Sequence, residues 1–80
     1  MTIQENLKRV RNSKGVTQKA VANYLEISEM AYSRLENDAK KVDATLLYKA
    51  SQFLGVDVTI FFSNKLTDDV INKTKQKEVV

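Results

Sequence analysis

Cysteine and histidine are both absent from the 80 residues. Together these absences remove a disulfide framework, a zinc finger and any histidine-based acid/base or triad mechanism. Stability must therefore come from packing alone. Long apolar runs are missing as well: the N-terminus MTIQENLKRV contains no continuous hydrophobic segment, and no stretch approaches the length of a membrane span. Neither export nor membrane insertion is suggested, and the expected compartment is the cytoplasm. A chain of 80 residues with 42% hydrophobic content supports a single core but leaves no room for a catalytic pocket of ordinary size. Neither an enzymatic activity nor a cofactor is expected. An excess of one charge is slight too. Lys plus Arg number 13 against 10 Asp plus Glu, a net +3, which suits a polyanionic partner without demanding one. The surplus is local: Met1 to Lys41 carry eight basic and five acidic residues, Val42 to Phe62 one and two, and Ser63 to Val80 four and three.

Within the basic half, the stretch from Thr17 to Asp38, TQKAVANYLEISEMAYSRLEND, organises the rest. Thr17 can cap a helix whose apolar positions Val21, Ala22 and Leu25 share one face. Ser28 can cap a second whose inward positions are Tyr32 and Leu35. Ile27 precedes the Ser28 cap and Tyr32 follows it at the spacing of a hydrophobic staple. Two helices joined by one short polar turn result, a helix-turn-helix. Its second helix leaves Glu29, Met30, Ser33, Arg34 and Asn37 on the outer face.

The flanking chain supplies more helices. Thr2 and Glu5 form a capping-box pattern ahead of Ile3, Leu7 and Val10, while Lys8, Arg9, Asn12 and Lys14 face outward and Gly15 ends this helix 1, so the pair capped by Thr17 and Ser28 are helices 2 and 3. Asp43 caps a fourth helix whose inward stripe is Leu46, Leu47, Ala50, Phe53 and Leu54, ending at Gly55. Asp57 can cap a short fifth element carrying Val58, Ile60, Phe61 and Phe62. No segment alternates with period two over enough residues to require a sheet. The expected fold is all-α, with a compact five-helix domain over 1–62 and an extension over 63–80. That extension reads as a sixth helix capped by Thr67 and stapled by Leu66 and Ile71. Asp68 and Asp69 stand at its start, and Lys73, Lys75 and Lys77 at its end. It must dock on Ile60 to Phe62, dock on a second subunit, or fray, with fraying expected beyond Lys75.

The order and spacing of these pieces resemble the Cro/repressor-type helix-turn-helix family, also called the Xre family, over roughly Ile3 to Phe62. The residues that carry the resemblance are Gln18 at the start of helix 2 and Ala22 where the two helices touch. Ser28 at the cap of helix 3, Leu35-Glu36-Asn37 at its end and Leu54-Gly55-Val56 after helix 4 complete the set. Two positions depart from the pattern: Glu26 stands where the turn usually has glycine, and Asp38 where glycine follows helix 3. A non-glycine residue at positive φ costs about 1 kcal/mol, so a strained or reshaped turn is expected.

The resemblance implies a lambda-repressor-like domain that binds double-stranded DNA as a homodimer, with helix 3 in the major groove of a pseudo-palindromic operator. Gln18, with Thr17 and the nearby backbone N–H groups, would then hold a phosphate, a role the helix dipole favours; the alternative is a solvated polar side chain. Arg34 can reach guanine O6 and N7, or a phosphate if the helix tilts differently. Glu29 either accepts from cytosine N4 or only complements the helix dipole, Met30 can touch a thymine methyl group, and Ser33 a base or a phosphate. Asn37, Lys40 and Lys41 would lie against the DNA backbone, the two lysines otherwise being a solvated loop. The resemblance pairs Arg11 with Glu36 as a structural ion pair. Dimerisation is expected through Ile60 and Phe62, helped by Leu66 and Val70, unless these residues only pack the tail on its own subunit. With no appended domain expected, control by concentration suits a phage-type repressor, a restriction-modification controller or an antitoxin. The rival is a protein-interaction module whose helix pair binds a toxin or a transcription factor; an RNA-binding domain of the same fold is weaker still.

Overall fold

The computed structural model describes residues 2–37 and 42–79, with side chains as far as Lys73. Each helix begins where a short polar side chain can satisfy free backbone N–H groups. Thr2 Oγ1 accepts from Glu5 N at 3.1 Å to start α1, Ile3–Ser13. Thr17 Oγ1 accepts from Ala20 N at 3.1 Å for α2, Gln18–Leu25. Ser28 Oγ accepts from Ala31 N at 3.0 Å for α3, Glu29–Asn37. Asp43 Oδ1 takes both Thr45 N at 2.9 Å and Leu46 N at 3.1 Å for α4, Ala44–Leu54. Such caps contribute about 1 kcal/mol each.

Three helices, α1, α2 and α4, also end alike. A left-handed residue comes shortly after each, and the next N–H reaches back to an otherwise free carbonyl. Gly15 at φ 69° lets Val16 N reach Arg11 O, and Gly55 at φ 73° lets Val56 N reach Ser51 O. Glu26 adopts the same conformation at φ 59°, so that Ile27 N bonds Ala22 O at 3.1 Å. The turn between α2 and α3 thus keeps its shape without glycine, at the cost of one strained residue.

The apolar faces of α1 to α4 meet in one core of Leu7, Val10, Val21, Ala22, Leu25, Tyr32, Leu35, Leu47, Ala50, Leu54 and Phe61. Ala22 of α2 is 1% exposed. Phe53 departs from the expected inward stripe. It is 38% exposed and stacks on Tyr24 with ring centroids 4.8 Å apart, because Leu47, Ala50 and Leu54 already fill the space under α4. The fifth element, Val58–Phe62, is a 3-10 helix capped by Asp57, and it sends Phe61 fully into the core.

The C-terminal segment differs most from expectation. α5 runs over Asn64–Val79 and starts before Thr67: Ser63 Oγ accepts from Leu66 N at 3.2 Å, so Ser63 is the capping side chain. Helical backbone continues past Lys75. Thr67 is instead fully buried, its hydroxyl donating to Ile60 O at 2.6 Å. Leu66 is 42% exposed and takes no part in a staple into the core. The helix docks on α1 of its own chain. Buried Asn6 donates through Nδ2 to Phe61 O and Asn64 Oδ1, both at 3.0 Å. Arg9, expected to face outward, is half-buried; it donates to Asn6 Oδ1 and forms an ion pair with Asp68. Among the described residues no helix is long and apolar enough to cross a membrane.

Candidate nucleic-acid interface

Tyr32 and Leu35 anchor α3 in the core, and helical spacing then decides what the opposite face presents. Glu29, Met30, Arg34 and Asn37 are exposed and Ser33 is half-buried, with Met30, at 65%, the most open large apolar side chain among the described residues. Met30, Ser33, Arg34 and Asn37 form one contiguous strip, with Glu29 at its edge. Asn37 Nδ2 donates to Ser33 O at 3.0 Å and to Ser33 Oγ at 3.3 Å, so these two polar side chains organise each other. Arg34 has no ion-pair partner among the described residues. A free guanidinium at the centre of a polar strip is suited to planar, two-point hydrogen bonding.

Beneath this strip the angle of α3 is fixed by a buried polar cluster. Arg11 forks onto Glu36, with Nε to Oε2 at 2.6 Å and Nη2 to Oε1 at 3.1 Å. Its third nitrogen, Nη1, donates to Val16 O at 2.7 Å, just ahead of the α2 cap. One guanidinium therefore ties α1, the start of α2 and the end of α3 together. Burial alone would lower the Arg11 pKa, but the hydrogen bond and charge of Glu36 outweigh it and the net shift is upward. The guanidinium therefore stays charged. The Tyr32 hydroxyl lies beside it, buried and without a hydrogen-bond partner among the described residues. Burial, and then the neighbouring Glu36 carboxylate, push that phenol far above its usual value.

Thr17 and Gln18 stand together at the N-terminus of α2, Thr17 exposed and Gln18 half-buried. Gln18 is not simply solvated, since its Nε2 donates to Glu36 Oε1 at 3.1 Å. Its side chain is thereby linked to the ion pair below α3. Two lysines belong near this surface although sequence spacing did not single them out. Lys19 is exposed beside Gln18, and Lys8 of α1 reaches Asn37 Oδ1 at 3.5 Å. The Lys8 contact joins residues far apart in the chain, and no local pattern could announce it. Lys40 and Lys41, assigned to phosphate contacts from the sequence, lie outside the described residues.

The expected subunit contact is a separate surface. Phe62 and Leu66 are exposed, Phe62 at 60%, whereas Ile60 and Val70 pack partly against the core of their own chain. Ile60 and Val70 also line a groove of about 310 Å³ with Lys14, Val56 and Lys73. The four candidate residues are therefore unequally exposed, Phe62 and Leu66 open and Ile60 and Val70 half-buried.

Residues 7–61 match the helix-turn-helix family. The chain is 39% identical over 69 residues to YqaF of Bacillus subtilis, described as an uncharacterized HTH-type transcriptional regulator; the match spans 86% of this chain and 84% of that protein. It is 31% identical over 61 residues to the HTH-type transcriptional regulator RamB of Mycobacterium tuberculosis, spanning 76% of this chain but 13% of that longer protein. No solved structure matches the chain at a significant level.

Proposed function

This chain belongs to the Xre-type helix-turn-helix family of DNA-binding transcriptional regulators, and from that premise we propose that it binds a pseudo-palindromic operator as a homodimer. One α3 enters the major groove at each half-site. The observation that carries this reading is the exposed strip of α3, with Arg34, which has no ion-pair partner among the described residues, at its centre, held beside the N-terminus of α2. Arg34 reads guanine through O6 and N7, Glu29 accepts from cytosine N4, Met30 covers a thymine methyl group, and Ser33 bonds a base edge. Thr17, Gln18 and Asn37, with Lys40 and Lys41 next in the sequence, hold the phosphates on either side. The α2 dipole adds to the attraction at its N-terminus. The site of action is the cytoplasm.

A single recognition helix spans only a few base pairs. Specificity therefore calls for two half-sites about 34 Å apart, joined by a two-fold contact. Ile60, Phe62, Leu66 and Val70 supply that contact. Exposed Phe62 and Leu66 are the side chains with apolar surface left to bury.

Comparing Arg34→Ala with Lys41→Ala tests the assignment, using duplexes selected from the native promoter. Arg34→Ala should relax preference at one position of each half-site at roughly 1–3 kcal/mol per contact, whereas Lys41→Ala should weaken all sequences alike and reduce the salt slope by about one per subunit. Equal losses for operator and random DNA in Arg34→Ala would make Arg34 a phosphate contact and overturn the base-reading role.

A further inference from the structure

The Glu36 side chain is completely buried and Arg11 nearly so, so neither competes for a place on the DNA. Glu36 nevertheless touches a residue that the DNA-binding reading places on a phosphate. We propose that Glu36 is a positioning residue for DNA binding: it orients the Gln18 carboxamide so that one amide proton is committed inward and the other is free for the phosphate. This inference rests on the function proposed above.

A carboxylate only accepts hydrogen bonds, so the Gln18 group facing it must be the amide nitrogen and not the amide oxygen. That removes the ambiguity a solvated glutamine would have. Glu36 is itself immobilised, since Oε1 takes both Arg11 Nη2 and Gln18 Nε2 at 3.1 Å while Oε2 takes Arg11 Nε. Arg11 also holds Val16 O, two residues before Gln18. The backbone at the start of α2 and the side chain projecting from it thus share one anchor. A bare carboxylate behind the phosphate site would repel DNA; paired with Arg11 it is neutralised and acts only as an acceptor. Fixing a rotamer-rich side chain before binding lowers the entropic cost of the contact. A purely structural latch between α2 and α3 would hold the helices equally well but would not make the phosphate contact depend on Glu36.

A double-mutant cycle separates the two. Four proteins are titrated by fluorescence anisotropy on one duplex selected by the unsubstituted chain: unsubstituted, Gln18→Ala, Arg11→Met with Glu36→Leu, and all three substitutions together. The paired change removes both buried charges at once, which leaves neither stranded and protects the fold. Gln18→Ala should cost roughly tenfold per subunit in the native background. In the Arg11→Met/Glu36→Leu background it should cost little, because the oriented contact is already lost. A full Gln18→Ala loss in both backgrounds, or no loss in either, overturns the positioning role. Side-chain amide NMR of the unsubstituted protein gives an answer even if the paired variant does not fold. One Gln18 Nε2 proton should keep its carboxylate-bonded shift in free and DNA-bound protein while the other moves on adding the duplex. Two protons that average or move together would contradict the proposal. Absence of saturable binding by the unsubstituted chain would instead remove the DNA reading itself, and this inference with it.

Discussion

Replacing Asn6 by alanine should be among the most damaging single changes that touch no apolar core residue. Asn6 is 1% exposed, and its Nδ2 serves Phe61 O and Asn64 Oδ1 at 3.0 Å while its Oδ1 accepts from Arg9 Nη1 at 3.3 Å. Alanine removes all three bonds and leaves the Phe61 carbonyl without this donor at the point where the 3-10 helix meets α1. Two well-formed bonds at about 1 kcal/mol each, plus part of the cost of an orphaned carbonyl, give a loss of roughly 3 kcal/mol. Small domains have a total stability of roughly 5–15 kcal/mol. At about 4–8 °C per kcal/mol for a domain of this size, the melting temperature should fall by more than ~10 °C. Urea unfolding followed by circular dichroism measures the change, with Asn64→Ala as the control. Asn64 is exposed and contributes one of these bonds, so its variant should lose about 1 kcal/mol. If Asn6→Ala stays within about 0.5 kcal/mol of the parent, the polar suture between α1 and α5 does not hold the C-terminal helix in place.

Glu36→Ala should destabilise by about 3–5 kcal/mol, because Arg11 is left buried without its partner, and by more than the paired Arg11→Met/Glu36→Leu change; the reverse order in chemical denaturation would refute that reading. Asp57 has its pKa lowered by the Thr59 backbone N–H and then by the Thr59 hydroxyl. Its contribution to stability is therefore present above the unperturbed value of 3.8 and lost as pH falls through the lower folded value. Asp57→Asn should flatten the acid limb of the stability curve, and an unchanged limb would show that the cap carries no pH dependence. Phe62→Asp should give a helical monomer with weak operator binding; a variant that still sediments as a dimer would remove Phe62 from the subunit contact.

Local signals in the sequence carried the helix starts. Thr2, Thr17, Ser28, Asp43 and Asp57 all cap as their spacing suggests, and Gly15, Gly55 and even Glu26 take the left-handed positions. Core positions followed from helical period, with Phe53 the exception where three smaller residues already filled the interior. A C-terminal helix is legible in the sequence but its start is not, because Ser63 and Thr67 are both able to cap. The choice between them depends on tertiary contacts: Phe61 is anchored in the core and the Ile60 carbonyl takes the Thr67 hydroxyl. Contacts of that kind, including Arg9 with Asp68 and Asn6 with Phe61, join distant parts of the chain and have no periodic signature. The same division holds at the interface. The strip on α3 was legible as the complement of Tyr32 and Leu35, whereas the bond from Gln18 to Glu36 and the reach of Lys8 to Asn37 appeared only in three dimensions.

The central claim, that this surface binds DNA through phosphates flanking a major-groove helix, is tested most directly by the salt dependence of operator affinity. Anisotropy titrations with a duplex selected from the native promoter should show saturable binding at low salt. Affinity should fall on the order of a thousandfold between about 50 and 200 mM salt if several phosphates are neutralised in each half-site. No saturable binding to any selected duplex at low salt would contradict the account and favour a surface made for a protein partner.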